Sequence, residues 1–125
     1  MSPDHPIGFL NLVNDSKKRI REESFRETKK RLDAGEKLVL IDTREDSEWA
    51  RGHIPGAIHL GRGIIERDIE KTVPDKDATI VLYCGGGFRS ALAADNLQKM
   101  GYRHVISMDG GWRGWTDAGY SIIKD

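Results

Sequence analysis

The amino-acid sequence predicts a three-layer α/β domain in which helices cover both faces of a parallel sheet. Three apolar runs, at residues 38–41, 79–83 and 104–108, lack the alternation of apolar and polar side chains that half-exposed strands show. Unbroken runs of this kind are typical of parallel strands buried on both faces. Stretches with helical spacing lie between the runs, and alternating strands and helices in a chain of 125 residues predict one layered domain.

The beginning of the chain is expected to form an extension, residues 1–35, that contains a charged helix. We expect an irregular lead-in and then a helix capped by Asp15 or Ser16, which runs to about Leu32 and ends at Gly35. Its few apolar side chains form only a narrow stripe. The sequence therefore predicts a surface helix that rests on the edge of the domain.

The α/β domain itself is predicted to occupy residues 36–122. Its helices are expected at 46–51, at 64–71, at 90–100 and around Trp112 and Trp115, with a short fourth strand at 57–60. Gly52 and Gly101 directly follow two of these helices, at the position where glycine often ends a helix. No repeat, linker or low-complexity segment divides the sequence.

The composition argues against several classes of protein. Lysine plus arginine and aspartate plus glutamate each number 20, which argues against a nucleic-acid binder with a basic excess. No apolar run approaches the length of about 20 residues that crosses a bilayer, and the start of the sequence lacks the features of a signal peptide. The single cysteine, Cys84, cannot form an internal disulfide. We therefore expect a cytoplasmic protein without nucleic-acid or membrane partners.

The junction that follows the run at 79–83 carries the strongest chemical signal. It joins a strand to a helix, and open α/β sheets bind ligands at such junctions. Three consecutive glycines let successive N–H groups converge on an anion, and the following helix adds its own N–H groups and its dipole. Cys84 stands at the rim of this cradle, so we expect a nucleophilic thiolate. The residues expected to bind the substrate around it are Gly85, Gly86, Gly87, Phe88, Arg89 and Ser90.

Other interpretations of this junction are weaker. A buried structural cysteine beside a tight turn would leave the glycine triplet and Arg89 unexplained. The phosphate loop of nucleotide hydrolases needs a Gly-Lys-Ser/Thr sequence that does not follow here. A dinucleotide fingerprint would need a small residue in place of Arg89 and a longer chain after Asp109. One cysteine excludes a Cys-x-x-Cys redox motif, and the scattered histidines predict no metal site.

Four stretches, taken in order, resemble one known family. They read Leu-Ile-Asp-Thr-Arg-Glu at 40–45, Gly-His-Ile-Pro-Gly-Ala-Ile at 52–58, Cys-Gly-Gly-Gly-Phe-Arg-Ser at 84–90 and Gly-Gly-Trp-Arg-Gly-Trp at 110–115. The third is similar to the active-site loop of rhodanese-type sulfurtransferases, which often reads Cys-x-x-Gly-x-Arg-Ser/Thr, and the others resemble further motifs of that family. Together they span about residues 36–122.

The resemblance implies a central five-stranded parallel sheet flanked by helices and a sulfur-transfer reaction that uses no cofactor. In this family the cysteine thiolate, here Cys84, attacks the outer sulfur of thiosulfate, holds that sulfur as a persulfide and passes it to cyanide or a thiol. The implied partners are a small anionic sulfur donor and an acceptor that is cyanide, a thiol or another protein. Arg89 is expected to bind the sulfonate of the donor.

Two alternatives use the same loop. Cell-cycle phosphatases that share the rhodanese fold have five residues between cysteine and arginine, whereas four separate Cys84 from Arg89. The shorter loop favours a sulfurtransferase over a phosphatase or an arsenate reductase. A sulfur carrier or interaction module with little turnover would also hold a persulfide on Cys84.

Residues outside the loop are expected to support it. Asp42 and Arg44 follow the first apolar run, at the same sheet edge as Cys84 if the sheet is parallel. They could tune the site, bind substrate or form an ion pair that fixes their loop, and the ion pair is the favoured interpretation because buried charges need partners. His53 is expected to hydrogen-bond its own turn, and the ring of Phe88 to face the mouth of the site or solvent.

Overall fold

The computed structural model describes residues 5–124 and holds a five-stranded sheet in which all neighbouring strands are parallel. The strands are β1 (Arg21–Ser24), β2 (Val39–Asp42), β3 (Ile58–His59), β4 (Thr79–Tyr83) and β5 (His104–Asp109). The helices are α1 (Ile7–Lys17), α2 (Phe25–Asp33), α3 (Asp46–Ala50), α4 (Ile65–Thr72), α5 (Phe88–Lys99) and α6 (Gly111–Asp117). The order β1-β5-β4-β2-β3 places β4 at the centre, and the predicted α/β fold is confirmed.

The central strand β4 is buried on both faces. Ile80 and Leu82 belong to one hydrophobic cluster, which α4 and α5 cover. Val81 and Tyr83 point to the opposite face and belong to a second cluster, which α2 and α6 cover. All four side chains are completely buried. The three layers therefore follow from the unbroken apolar run, because a strand without polar alternation needs cover on each side.

The N-terminal part of the chain differs from the expected irregular lead-in and single helix to about Leu32. Helix α1 already begins at Ile7 and ends at Lys17, and strand β1 separates it from α2. Strand β1 pairs in parallel with β5, so its backbone groups are satisfied at the sheet edge instead of inside a helix. Its sequence is Arg-Glu-Glu-Ser with only Glu23 buried, so no apolar run marks it as a strand. This is the fifth strand that the family resemblance implies.

Polar contacts tie the N-terminal elements to the sheet and to α5. The buried carboxylate of Glu23 lies 2.8 Å from Arg31 of α2. Arg19, just after α1, donates to the buried Asp95 of α5 at 2.8 and 3.1 Å, and the hydroxyl of Ser16 lies 3.3 Å from the same carboxylate. These elements precede residue 36, and the division of the chain at that residue stays a prediction.

The other helices lie within two residues of their predicted starts. Helix α5 begins at Phe88 rather than at residue 90, because Gly87 adopts a φ of 101° and serves as the N-cap. Phe88 and Arg89 therefore belong to the first turn of α5. Within residues 5–124, no helix combines the length and the apolar character that a membrane span requires.

Parallel pairing brings two loops to the same edge of the sheet. Asp42 ends β2 and is in register with Tyr83, which ends β4. The backbone N–H and the hydroxyl of Thr43 both donate to the carbonyl of Tyr83, at 2.8 and 2.9 Å. The loop that contains Arg44 therefore lies beside the junction that contains Cys84.

Candidate active site

Cys84 directly follows the central strand β4, and only 1 % of its surface is exposed. Its Sγ accepts the backbone N–H groups of Gly87 at 3.1 Å and of Ser90 at 3.4 Å. The hydroxyl of Ser90 lies 3.6 Å from the same sulfur and 2.9 Å from the hydroxyl of Ser107. These donors converge on one atom, where they stabilise a negative charge on sulfur.

The start of α5 places those donors. Gly87 holds the left-handed backbone conformation that turns the chain from β4 into the helix, and a Cβ there would be strained. The first turn of the 12-residue helix then directs its unpaired N–H groups, including that of Ser90, toward Cys84. The positive end of the helix dipole adds to the same effect.

The start of α6 fixes the loop from the other side. The backbone N–H of Trp112 donates to the carbonyl of Cys84 at 2.8 Å, and that of Arg113 donates to the carbonyl of Gly85 at 3.1 Å. Gly111 permits this approach, because a Cβ at that position would lie 2.4 Å from the carbonyl oxygen of Cys84. Sequence reasoning did not identify Arg113 as a site residue, and the only available signal was the glycine pair that precedes Trp112.

Arg89, the residue expected to bind the anionic end of a donor, forms an ion pair with Glu48 of α3. Its two terminal nitrogens donate to the Glu48 carboxylate at 2.7 and 3.2 Å, and the two side chains are 30 % and 31 % exposed. The Arg89 guanidinium, helped by the backbone N–H of Glu45, holds the pKa of Glu48 below its usual value. The carboxylate is therefore charged at neutral pH and compensates the charge of Arg89.

Asp42 and Arg44 form a buried ion pair, which is the favoured interpretation of these two residues. Arg44 donates from Nε at 3.1 Å and from a terminal nitrogen at 2.8 Å to the Asp42 carboxylate, and it also donates to the carbonyl of Gly52 at 2.7 Å. The exposed fractions are 0 % for Asp42 and 3 % for Arg44. The guanidinium packs over the ring of Trp112 at 4.2 Å. Neither side chain is among the described residues that line the cavity at Cys84.

A small cavity of about 90 Å³ opens against Cys84. Its described lining consists of His5, Cys84, Gly85, Gly86, Phe88, Arg89 and Arg113. Gly86, Phe88 and Arg113 also line an adjoining groove of about 390 Å³. A larger cavity of about 580 Å³ lies between the start of α3 and the start of α4 and does not include Cys84 among its described lining. The small cavity is therefore the place where a substrate would meet the sulfur.

The ring of Phe88 contacts the N-terminal segment rather than standing alone at the mouth. It lies 4.6 Å from the ring of His5 and 6.1 Å from that of Phe9, measured between ring centroids, and the ammonium of Lys17 lies 5.3 Å from its centroid. The segment around α1 thus forms one wall of the site. Nothing in the sequence pattern of this segment indicated that contact.

His53 bonds its own turn, as expected. Its Nδ1 lies 3.3 Å from the carbonyl oxygen of Ile54, its ring stacks on that of Trp49 with centroids 3.5 Å apart, and its backbone N–H donates to Ile123 at 2.9 Å. Across residues 5–124 no group of three or more His, Cys, Asp or Glu side chains is placed to hold a metal ion.

Comparison with known proteins identifies one family over most of the chain. The sequence pattern of the rhodanese-like domain family matches residues 24–118. The structure superposes on RPA3614 of Rhodopseudomonas palustris CGA009, a protein of unknown function described as a possible tyrosine phosphatase. That superposition has a TM-score of 0.87 and 30 % identity and covers 98 % of this chain and 99 % of the other.

Two curated relatives are from Bacillus subtilis strain 168. YtwF, provisionally named a sulfurtransferase, is 38 % identical over 96 residues, which cover 77 % of this chain and 90 % of YtwF. YrkF, provisionally named a sulfur carrier protein, is 34 % identical over 97 residues, which cover 78 % of this chain and 51 % of YrkF. The match therefore spans most of the first relative and about half of the second.

Proposed function

The chain belongs to the rhodanese-like domain family, and we propose that it is a sulfurtransferase that carries a sulfane sulfur on Cys84 as a persulfide. The observation that supports this most directly is the pair of N–H donors, from Gly87 and Ser90, that meet at the Cys84 sulfur. The described lining of the adjacent cavity contains two arginines and no carboxylate. This environment favours an anionic sulfur and attracts an anionic donor.

The donor half of the proposed reaction loads the sulfur. The Cys84 thiolate attacks the outer sulfur of thiosulfate, a new S–S bond forms, and the original S–S bond of thiosulfate breaks with its electron pair leaving on sulfite. The product is the Cys84 persulfide anion, so no external oxidant or reductant is needed. The backbone N–H groups of Gly87 and Ser90, which contact the thiolate, stabilise charge during the transfer.

The acceptor half returns the thiolate. Cyanide or an acceptor thiolate attacks the outer sulfur of the persulfide, and the Cys84–sulfur bond breaks with its electron pair returning to Cys84. Thiocyanate or a new persulfide leaves. Because a thiolate is already the nucleophile and the leaving group, neither half requires a general base, which agrees with His53 being engaged with its own turn.

A phosphatase is the main enzymatic alternative, since RPA3614 is described as a possible tyrosine phosphatase. Two features favour sulfur over a phosphoryl group. Only four residues separate Cys84 from Arg89, one fewer than in the phosphatases of this fold, and the cavity measures about 90 Å³. Arg89 is also bound to Glu48, which weakens its hold on a multiply charged phosphoryl group.

The test compares sulfur transfer with phosphate hydrolysis in the same preparation, with Cys84→Ser as the control. We expect thiosulfate to add the mass of one sulfur atom to Cys84, cyanide to release that sulfur as thiocyanate, and Cys84→Ser to do neither. Release of phosphate from an aryl phosphate without sulfur loading would overturn the proposal in favour of a phosphatase. Sulfur loading without thiocyanate or thiol persulfide release would overturn enzymatic turnover and leave a sulfur carrier.

A further inference from the structure

The two arginines that line the Cys84 cavity differ in their charge balance. Arg89 donates to both oxygens of Glu48, so a carboxylate sits directly behind its guanidinium. Within residues 5–124, Arg113 has no carboxylate at salt-bridge distance, although Asp109 and Asp117 line the adjoining groove with it. Of the two arginines, Arg113 is therefore the one whose positive charge at this cavity is not balanced by an ion pair.

Arg113 is held close to the reacting sulfur by its backbone. Its N–H donates to the carbonyl of Gly85, the residue directly after Cys84, at 3.1 Å. The preceding N–H, of Trp112, donates to the carbonyl of Cys84 itself. The exposed side chain lines both the cavity and the groove, so it stands where a substrate passes from one to the other.

The donor half of the reaction requires such a charge. The Cys84 thiolate and the thiosulfate dianion must occupy the same small cavity, and like charges repel strongly where water is partly excluded. Backbone N–H groups already engage the thiolate, and Glu48 compensates Arg89. The sulfonate that becomes sulfite still needs a cation beside the mouth.

We propose that Arg113, and not Arg89 alone, binds the oxyanion end of the sulfur donor and thereby makes the protein selective for donors that carry an oxyanion. This inference rests on the proposed sulfur transfer. Arg89 then acts mainly as a positioning residue that links the start of α5 to Glu48. The outer sulfur points inward to Cys84, the oxyanion lies outward against Arg113, and the leaving sulfite departs through the groove.

The test compares Arg113→Gln with the wild-type protein on two donors. The donors are thiosulfate and the persulfide of 2-mercaptoethanol, which has no oxyanion, and the measurement is the single-turnover rate of sulfur loading on Cys84. For Arg113→Gln we expect the second-order rate constant of loading from thiosulfate to fall about 10- to 100-fold, the range for losing one charge-assisted hydrogen bond. With the persulfide donor, which is anionic on sulfur but has no oxyanion, the rate should change by less than about threefold. Arg113→Lys should recover part of the loss, since it restores charge without the planar fork.

The matched control is Arg103→Gln, which removes the same charge from an exposed arginine that precedes β5 at the opposite edge of the sheet. It should leave both donors unaffected. An equal loss on both donors in Arg113→Gln, or no loss on thiosulfate, would overturn the role of Arg113 while leaving sulfur transfer intact. If the wild-type protein loads sulfur from neither donor, the proposed function itself fails.

Discussion

Two arginine–carboxylate pairs stand at the same edge of the sheet and differ mainly in their burial. Asp42 and Arg44 meet at 2.8 Å with side chains 0 % and 3 % exposed. Glu48 and Arg89 meet at 2.7 Å with side chains 31 % and 30 % exposed. The bond lengths alone would suggest equivalent interactions, but the surroundings of the two pairs give them different consequences.

The buried pair, Asp42 and Arg44, is expected to affect the stability of the fold. Removing water from two charges is costly, so Asp42 and Arg44 depend on each other, and Arg44 further holds the carbonyl of Gly52 and packs on Trp112. The half-exposed pair contributes little to stability, because solvent screens it. We expect it to affect the rate of the reaction instead, since Arg89 lines the Cys84 cavity and Glu48 binds its guanidinium. Two ion pairs of similar bond length are therefore expected to differ in effect, the buried one on stability and the partly exposed one on the electrostatic potential at Cys84.

The largest effect is expected when the buried pair is broken. Asp42→Asn keeps the shape of the side chain but leaves the guanidinium of Arg44 buried beside a neutral amide. We expect the free energy of unfolding to fall by about 3–5 kcal/mol, measured by urea denaturation. The control is Asp46→Asn, which removes the same charge from a fully exposed side chain and should change stability by less than about 0.5 kcal/mol. A loss below about 1 kcal/mol in Asp42→Asn would contradict this account of the pair.

A smaller effect, on rate rather than on stability, is expected when Glu48 is neutralised. In Glu48→Gln the side-chain oxygen can still accept the 2.7 Å bond from Arg89 and the backbone N–H of Glu45, while the 3.2 Å bond and the negative charge are lost. Thiosulfate loading of Cys84 should become about two- to fivefold faster at low ionic strength, and the gain should shrink as salt is added. Slower loading would show that the carboxylate is needed to hold Arg89 in place. Glu70→Gln, an exposed change on α4, should leave the rate unaltered.

The smallest effect concerns the pH dependence of stability. The pKa of Glu48 is lowered in the folded protein, mainly by its hydrogen bond to Arg89. The ionised carboxylate therefore stabilises the fold above the unfolded pKa of glutamate, about 4.3, and this contribution is lost as the pH falls through the lower folded value. Wild type should exceed Glu48→Gln in unfolding free energy by under about 1 kcal/mol at pH 6–7. Urea titrations at several pH values should show the gap closing below pH 4, and a gap that is constant with pH would contradict the assignment.

The sequence was informative where a feature is set by neighbouring residues. The runs that became β2, β4 and β5 were visible because each is buried on both faces. The junction after β4 was visible because glycines beside a cysteine have few structural explanations, and the donors do meet at Cys84. The catalytic assignment of Cys84 and of residues 85–90 stays a prediction until the sulfur-loading test is made.

The sequence was misleading, or gave little information, where contacts with residues far away in the chain decide the local structure. Residues 21–24 are mostly charged and were predicted to lie inside a helix. They form an edge strand instead, because β5 offers unpaired backbone groups. Arg89 lines the cavity, and its binding of the donor stays a prediction, but the sequence did not indicate that a carboxylate 41 positions away binds its guanidinium. For Arg113 the local signal was limited to the glycine pair before Trp112, since its place beside the cavity comes from the docking of α6 on the Cys84 loop.

By itself the sequence determined the layered α/β class, the parallel core and the position of the candidate nucleophile, because burial patterns and glycine conformations are properties of short stretches. Only the tertiary structure decided that Arg89 has a carboxylate partner, that Arg113 lines the same cavity without one among residues 5–124, and that the segment around α1 contacts the site. The physical reason is that charge balance and cavity shape depend on groups far apart in the chain, which meet only after the sheet has formed.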